Sequence, residues 1–227
     1  MISACTIHPA VAEPVTWSAV EPGLERTSLP LPGSQQLLAL RFDQVHFQLR
    51  LLSPTGGLRV PDDAPRDAVA IWNGGYFEHD LRPSGLVIDL GRQVSAPSRG
   101  SGLALLGERL SLLRYRNANV AAQNESALQL WPLLIEPGGA DGIRRDDGKR
   151  ARRSAVALDD AGRGLLIAVV GDGITLFELM GLCRKLGAVV ALNLDGGPST
   201  GYALLGSPTW REASQTSVAN ALVLVRR

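Results

Sequence analysis

One stretch, LLIAVVGDGITLFELMGLCRKLGAVVALNLDGGPSTGY at 165–202, constrains the fold more than any other part of the chain. It opens with an apolar, β-branched run at 165–170 between Gly164 and Gly171, the pattern of a buried strand. Thr175-Leu-Phe-Glu178 has the form of a capping box, in which the hydroxyl and the carboxylate each satisfy a first-turn amide. Leu179, Leu182, Cys183 and Leu186 follow at helical spacing, Arg184 and Lys185 fall in the last turn, and Gly187 supplies the stop. A second apolar run at 189–194 predicts another buried strand. Strand, helix and strand in so short a span form a βαβ unit, with parallel strands and a right-handed crossover. Asp172-Gly173 and Asp195-Gly196-Gly197 then sit at carboxyl ends of strands in one sheet, where open α/β sheets bind ligands. The active site is expected there.

The rest of the chain reads as short strands. Residues 45–51 alternate cleanly, with Val45, Phe47, Leu49 and Leu51 on one face and His46, Gln48 and Arg50 on the other. Further strands are predicted at 37–42, 68–72, 86–90, 103–106, 154–158 and 218–225, with hairpins at Gly107-Glu-Arg109 and Gly162-Arg-Gly164. Residues 117–129 are ambiguous and suit a short helix. Residues 130–135 carry Pro132, which suits an edge strand or a strand entry. Many short strands and one clear helix predict an α+β (mixed α/β) domain: a large, mixed, mainly antiparallel sheet with one βαβ unit and few helices.

The chain has 227 residues, enough to bury a full core, and no composition break divides residues 34–227. Residues 1–33 are Pro-rich and weakly patterned, and suit a tether. Within them Ile2-Ser-Ala-Cys5 resembles the end of a bacterial lipoprotein signal. On that reading the protein is periplasmic or extracellular, touches a membrane only through a lipid on Cys5, and would carry a leader ahead of Ile2. The alternative is a Cys5 without a role. Cys183, on the apolar stripe of the helix, reads as a reduced core residue. A net charge of +1 gives no attraction to nucleic acid.

Several chemistries fail on residue order. Gly197-Pro-Ser-Thr-Gly201 matches the pattern of a hydrolase nucleophile elbow, which needs a later His; His8, His46 and His79 all lie upstream. No glycine triplet follows a strand at dinucleotide spacing, and no His/Cys pair has zinc spacing, so no metal or cofactor is expected. What survives is Asn193-Leu-Asp195-Gly-Gly-Pro-Ser-Thr200, a strand end with one carboxylate, two hydroxyls and glycines whose amides can approach a ligand. Asn73-Gly-Gly-Tyr-Phe77 repeats the design at another strand end. Arg153 begins a strand beside a basic loop that also holds Arg144, Arg145, Lys149 and Arg150, which read as a solvated face. An Arg fork with glycine-lined amides suits a phosphate, and a carboxylate among amides and hydroxyls suits a sugar.

Taken in order, Asn73-Gly-Gly-Tyr-Phe77, Pro83-Ser-Gly85, Ala127-Leu-Gln-Leu-Trp-Pro-Leu133, Arg153-Ser-Ala155, Gly173-Ile-Thr-Leu-Phe-Glu178 and Asn193-Leu-Asp-Gly-Gly-Pro-Ser199 resemble the phosphodiester glycosidase family over about 68–220. Pro198 stands where family members usually carry a third glycine. The resemblance implies hydrolysis of a sugar-1-phosphodiester at the anomeric C–O bond. It implies catalytic roles for Asp195, Arg153 and Asn73, and substrate contacts from Gly74, Gly75, Tyr76, Gly196, Gly197, Ser199 and Thr200. Arg153 would hold the phosphate. Asp195 would stabilise the cationic transition state, act as nucleophile or activate water. The competing expectation is an envelope protein that binds phosphorylated glycans without turning them over.

Overall fold

The computed structural model describes residues 15–116, 119–122, 124–207 and 209–227; Cys5 lies outside them. In chain order the elements are β1 (Ser18–Glu21), β2 (Leu24–Pro30), β3 (Gln36–Phe42), β4 (Phe47–Leu52), β5 (Ala68–Asn73), β6 (Val87–Asp89), β7 (Arg92–Ser95), β8 (Gly102–Leu106), β9 (Ser111–Arg114), α1 (Asn119–Ala122), β10 (Ser126–Leu130), β11 (Leu133–Ile135), β12 (Ala151–Asp159), β13 (Gly164–Ile174), α2 (Leu176–Lys185), β14 (Ala188–Asn193), β15 (Tyr202–Leu204), β16 (Arg211–Glu212) and β17 (Ala221–Arg226). A single 3-10 turn, Gly197–Ser199, follows β14.

The strands form three sheets, ordered β1-β2-β3-β13-β12-β14-β11, β7-β6-β10-β8-β9 and β16-β15-β5-β17-β4. The fold is α+β and largely β, as expected, with the single large sheet replaced by three. Every hydrogen-bonded neighbour is antiparallel. The two strands of the βαβ unit, β13 and β14, do run parallel, because each pairs antiparallel with β12 inserted between them. The helix starts and stops where its caps predict: Thr175 and Glu178 close a capping box, and Cys183 is a buried free thiol. Residues 130–135 break at Pro132, and β11 beyond it is the edge of the seven-stranded sheet.

The first 33 residues are not all a tether. Residues 18–30 form the hairpin β1–β2, and β2 pairs with β3 along its whole length, Leu24 against Phe42 to Pro30 against Gln36. Few side chains announce it: only Leu24 and Thr27 of β2 are fully buried.

The apolar runs at 165–169 and 190–194 are explained by burial on both faces, while Val189 is exposed. Leu165, Ile167 and Val169 pack with Leu179, Met180 and Cys183 of α2, while Leu166 and Ala168 face the central core with Trp72, Leu130 and Leu222. A strand covered by a helix on one side and other sheets on the other has no polar face to alternate with. Trp72 anchors the centre: it is fully buried, stacks on Tyr202 with ring centroids 4.9 Å apart, and donates its indole N–H to Ile167 O at 3.1 Å. This core fixes the ends of β5, β12, β14 and β15 relative to one another, and the candidate site is built on those ends.

Candidate active site

Sheet register brings the site together. Ala155 of β12 faces Asn193 of β14, so the antiparallel pair sets Arg153, two residues back, near Asp195, two residues on. Leu194 N donates to Ser154 O at 2.9 Å and continues the ladder past the strand end. In the second sheet Asn73, at the end of β5, faces Ala221 of β17, and Tyr202 of β15 faces Trp72. The two sheets meet where Asp195 N donates to Gly74 O at 3.0 Å.

Asn73 ties this junction and lies beneath it. Its side chain is wholly buried; Nδ2 donates to Asp195 O at 2.8 Å, and Oδ1 accepts from Ser154 Oγ at 2.7 Å and Gly201 N at 3.3 Å. With its hydrogen-bonding atoms committed and none exposed, it joins three strand ends. Gly74 and Gly75 are buried too. A Cβ on Gly74 would stand 2.0 Å from Asn220 Oδ1 and 2.8 Å from Asn220 O, so only glycine lets β17 approach this closely. Asn220 in turn caps the turn, its Oδ1 accepting from Gly75 N at 2.7 Å. Thr200 is likewise buried; its carbonyl accepts from Arg152 Nη2 at 2.7 Å, and Arg152 also pairs with Glu212 at 3.2 Å. Asn73, Gly74, Gly75 and Thr200, expected to act on or touch substrate, are buried in the frame of the site, and Thr200 Oγ1 has no hydrogen-bond partner among the described residues.

The half-buried residues make its surface. Asp195 Oδ1 accepts from Gly196 N at 2.9 Å. Burial raises the pKa of its carboxyl above the usual range, against the pull of hydrogen bonds from Ser199 and Gly196. Burial also raises the Tyr76 phenol well above its ordinary value, and the negative charge of Asp195 adds to this while Asn193 and Arg153 oppose it. The Tyr76 hydroxyl lies 2.6 Å from Trp131 O and 3.3 Å from Leu194 O and accepts from Asn193 Nδ2, and its ring stacks on Trp131 with centroids 4.4 Å apart. Tyr76 thus stays a neutral phenol, fixed in the field of both Asp195 and Arg153.

Arg153 is held by backbone. Nε donates to Ile174 O at 3.1 Å and Nη2 to Lys149 O at 2.7 Å, and burial lowers its pKa from the ordinary value, against the charges of Tyr76 and Asp147. No salt bridge joins it to Asp195, and among the described residues nothing accepts from Nη1. A fixed guanidinium that shares a phenol neighbour, Tyr76, with a carboxylate and keeps one end without a partner among the described residues can receive an anion. The basic loop is less uniform than expected: Arg145 is exposed, but Arg150 bonds Glu178 Oε1 at 3.1 Å and Gly173 O at 3.0 Å, pinning the loop to α2. Gly197, with φ +58° and open space around its α-carbon, turns the chain after Asp195 so that Ser199 comes back to the carboxylate.

Sequence reasoning missed Ser154, Asn220 and Arg152, whose side chains reach the site turns from neighbouring strands. Ser154 carried a signal in the Arg153-Ser-Ala155 motif, but Arg152 and Asn220 had only their positions at the starts of strands that register places beside the glycine turns. Among the described residues no group of three His, Cys, Asp or Glu side chains could hold a metal ion, and no helix is long and apolar enough to cross a membrane.

Comparison with known proteins bears on the fold and the family. The chain is similar in fold to the catalytic domain of zebrafish N-acetylglucosamine-1-phosphodiester alpha-N-acetylglucosaminidase, auto-inhibited by its pro-peptide: TM-score 0.71 and 17% identity over 95% of this chain and 87% of that one. A hypothetical protein from Synechocystis superposes with TM-score 0.70 and 19% identity over 96% of this chain, which spans 65% of that protein. A Burkholderia pseudomallei protein gives 0.65 and 16%, covering 86% of this chain and 75% of that one. No curated protein matches in sequence. The sequence profile of the phosphodiester glycosidases matches residues 66–225, which include every residue of the site described above. The chain belongs to the phosphodiester glycosidase family.

Proposed function

We propose that this protein hydrolyses a sugar-1-phosphodiester at the anomeric C–O bond, releasing free sugar and a phosphomonoester. The observation that carries the reading is the pairing of one half-buried carboxylate, Asp195, with one backbone-held guanidinium, Arg153, that it does not neutralise. The C1–O bond breaks with its electron pair going to the phosphate oxygen, water adds its hydroxyl to C1, and the remaining proton goes to the released phosphate or to solvent. Most glycosidases use a second carboxylic acid to protonate a poor leaving group. A phosphodiester anion leaves as a stable phosphate, so a cation at the phosphate replaces that acid. In this arrangement Arg153 Nη1 faces the phosphate, Asp195 faces the positive charge that develops at C1, and Ser199 with the amides of Gly196 and Gly197 orients the carboxylate and sugar. Tyr76, neutral, lies along the substrate between the two charges. The Ile2-Ser-Ala-Cys5 sequence supports an envelope location, where phosphate-linked glycans are found.

The test is release of sugar from methyl α-N-acetylglucosamine-1-phosphodiester, the linkage in the name of the zebrafish relative. Wild type is expected to turn it over, and Asp195→Asn to lose roughly 10²–10⁴-fold in kcat, the range for a group that acts on the reacting atoms. A folded Asp195→Asn protein with wild-type kcat refutes the assignment. Saturable binding without turnover by wild type leaves a glycan-binding protein in its place.

A further inference from the structure

We infer that Arg152, the neighbour of Arg153 in the chain, is a positioning residue for the reaction: its guanidinium fixes the far end of the 196–200 turn, and so keeps Ser199 and Gly196 N on the Asp195 carboxylate. The role rests on the proposed function, in which Asp195 acts ionised, and adds to it a residue outside the motifs that resemble the family.

Successive residues of a strand leave it on opposite sides, and the two arginines of β12 diverge in this way. Arg153 reaches Ile174 O and Lys149 O, whereas Arg152 Nη2 donates to Thr200 O at 2.7 Å. Counted on from Ala155 opposite Asn193, Arg152 falls opposite Gly196. The approach there is close: a Cβ on Gly196 would stand 2.7 Å from Arg152 O, so the start of the turn rests on the Arg152 main chain. Arg152 therefore touches the turn at both ends, at Gly196 with its backbone and at Thr200 with its side chain. Between them lies the 3-10 turn Gly197–Ser199, held within itself by Ser199 N to Gly196 O and Thr200 N to Gly197 O. Both bonds are 3.2 Å, the long end of the N–H···O range, so the turn depends on outside anchors. Gln215 N holds its middle, at Pro198 O, and Arg152 holds the end next to Ser199.

Packing and charge alone do not account for an arginine here. Its side chain is only 11% exposed, it pairs with Glu212 of β16 at 3.2 Å, and its Nε is buried without a partner among the described residues. A buried donor left unpaired costs stability, and a well-packed apolar side chain would avoid that cost. What the arginine adds is the bond from Nη2 to Thr200 O. That bond lies one residue from Ser199, whose side chain, with Gly196 N, hydrogen-bonds the Asp195 carboxylate and opposes the rise in its pKa that burial causes. The other ionisable groups at the site, Tyr76 after β5 and Arg153 on β12, stay in place when Arg152 is replaced. On the far side of Arg152, burial pushes the Tyr202 phenol up to about 12, with Glu212 adding to the rise and Arg152 opposing it.

The test measures kcat, KM and the pH profile of kcat/KM on methyl α-N-acetylglucosamine-1-phosphodiester for wild type, Arg152→Met, Arg152→Lys and Glu212→Gln. Arg152→Met is expected to lower kcat roughly 10- to 100-fold, the cost of a misplaced reacting group, with KM within about twofold of wild type. Losing the hydrogen bonds that hold the Asp195 pKa down should also move the acid limb of the profile to higher pH. Arg152→Lys keeps a cation beside Glu212 but ends one atom short of Nη2, so both effects should appear in the same direction and be smaller. Glu212→Gln breaks the ion pair and leaves the bond to Thr200 O, so it should lower Tm and keep wild-type kcat and acid limb. Wild-type kcat and acid limb in folded Arg152→Met, or in Arg152→Lys if Arg152→Met does not fold, overturn the role. A kcat loss in Glu212→Gln as large as that in the Arg152 variant also overturns it, because the effect then runs through β16. If wild type turns over no diester, the proposed function fails by itself, and the anchoring is read from amide hydrogen exchange across residues 196–201. Faster exchange in the folded Arg152 variant and not in Glu212→Gln upholds it, and equal rates in wild type and both variants overturn it.

Discussion

Asn73 is the position at which a substrate-binding role and a supporting role predict opposite results. Asn73→Ala removes the donor to Asp195 O and the acceptor for Ser154 Oγ and Gly201 N, all in a place without solvent. The Ser154 hydroxyl can rotate to another acceptor, but the Asp195 carbonyl and the Gly201 amide are left unpaired. Each buried unpaired group costs about 1–3 kcal/mol, so the loss is about 2–6 kcal/mol against a total stability of about 5–15 kcal/mol. For a chain of this size that lowers Tm by roughly 4–24 °C. Because the lost bonds position Asp195 and not the ligand, kcat on a sugar-1-phosphodiester should fall while KM stays near the wild-type value. Differential scanning fluorimetry and steady-state kinetics below both melting temperatures measure the two effects. A variant with unchanged Tm and a raised KM would refute the supporting role and return Asn73 to the ligand.

The other predictions concern charge. Asp195 has a raised pKa in the folded state, so ionising it opposes folding. Its destabilising effect develops as pH rises from the ordinary carboxylate value through the raised one, and Asp195→Asn should therefore melt higher than wild type at neutral pH, with the gap closing in acid. Arg153→Lys keeps a positive charge but cannot donate to Ile174 O and Lys149 O and also present an open guanidinium end. It should lose roughly 10- to 150-fold on the phosphodiester, the equivalent of about 1.5–3 kcal/mol, and much less on a neutral aryl glycoside of the same sugar. Equal losses on both would show that Arg153 only holds the loop. Glu178→Gln retains an acceptor for Thr175 N and loses the exposed pair with Arg150, so stability should drop by less than about 1 kcal/mol with activity intact. Arg145→Lys should be silent in both assays, whereas Arg150→Lys should show the same small loss of stability as Glu178→Gln.

How much of this was legible follows from where each residue points. The strands at 154–158, 165–170 and 189–194 and the helix between two of them could be read because burial on both faces over most of their length leaves an unbroken apolar run, and because a capping box and a glycine stop are local signals. The hairpin β1–β2 could not: Ser18, Ala19 and Val20 are exposed, and the order of β2 comes from its pairing with β3, which no local pattern records. The split of the βαβ unit by β12 was hidden for the same reason, since β12 enters from earlier in the chain. At the site the glycine turns were visible, but the face of each side chain was not. An asparagine beside two glycines reads the same whether its amide meets a sugar or, as here, the carbonyl of Asp195.

Pro198 shows how a departure from the family pattern is accommodated by geometry. The residue lies in the single 3-10 turn after β14, exposed, where Ser199 N donates to Gly196 O and Thr200 N to Gly197 O, both at 3.2 Å. Pro lacks an amide, yet neither of those bonds uses the amide of residue 198. Its fixed φ near −65° suits a turn of this kind. Its carbonyl accepts from Gln215 N at 2.7 Å, which anchors the turn to the 214–218 segment. The left-handed conformation falls on Gly197, so flexibility is needed at that position and not at 198. A third glycine would give the turn more unfolded-state freedom to lose. Proline removes some of that freedom while Gly196 N and Ser199 still meet Asp195. What the substitution removes is one donor at the edge of the site. On the proposed reading, the guanidinium of Arg153, held by Ile174 O and Lys149 O, then carries more of the phosphate recognition than the glycine turn does.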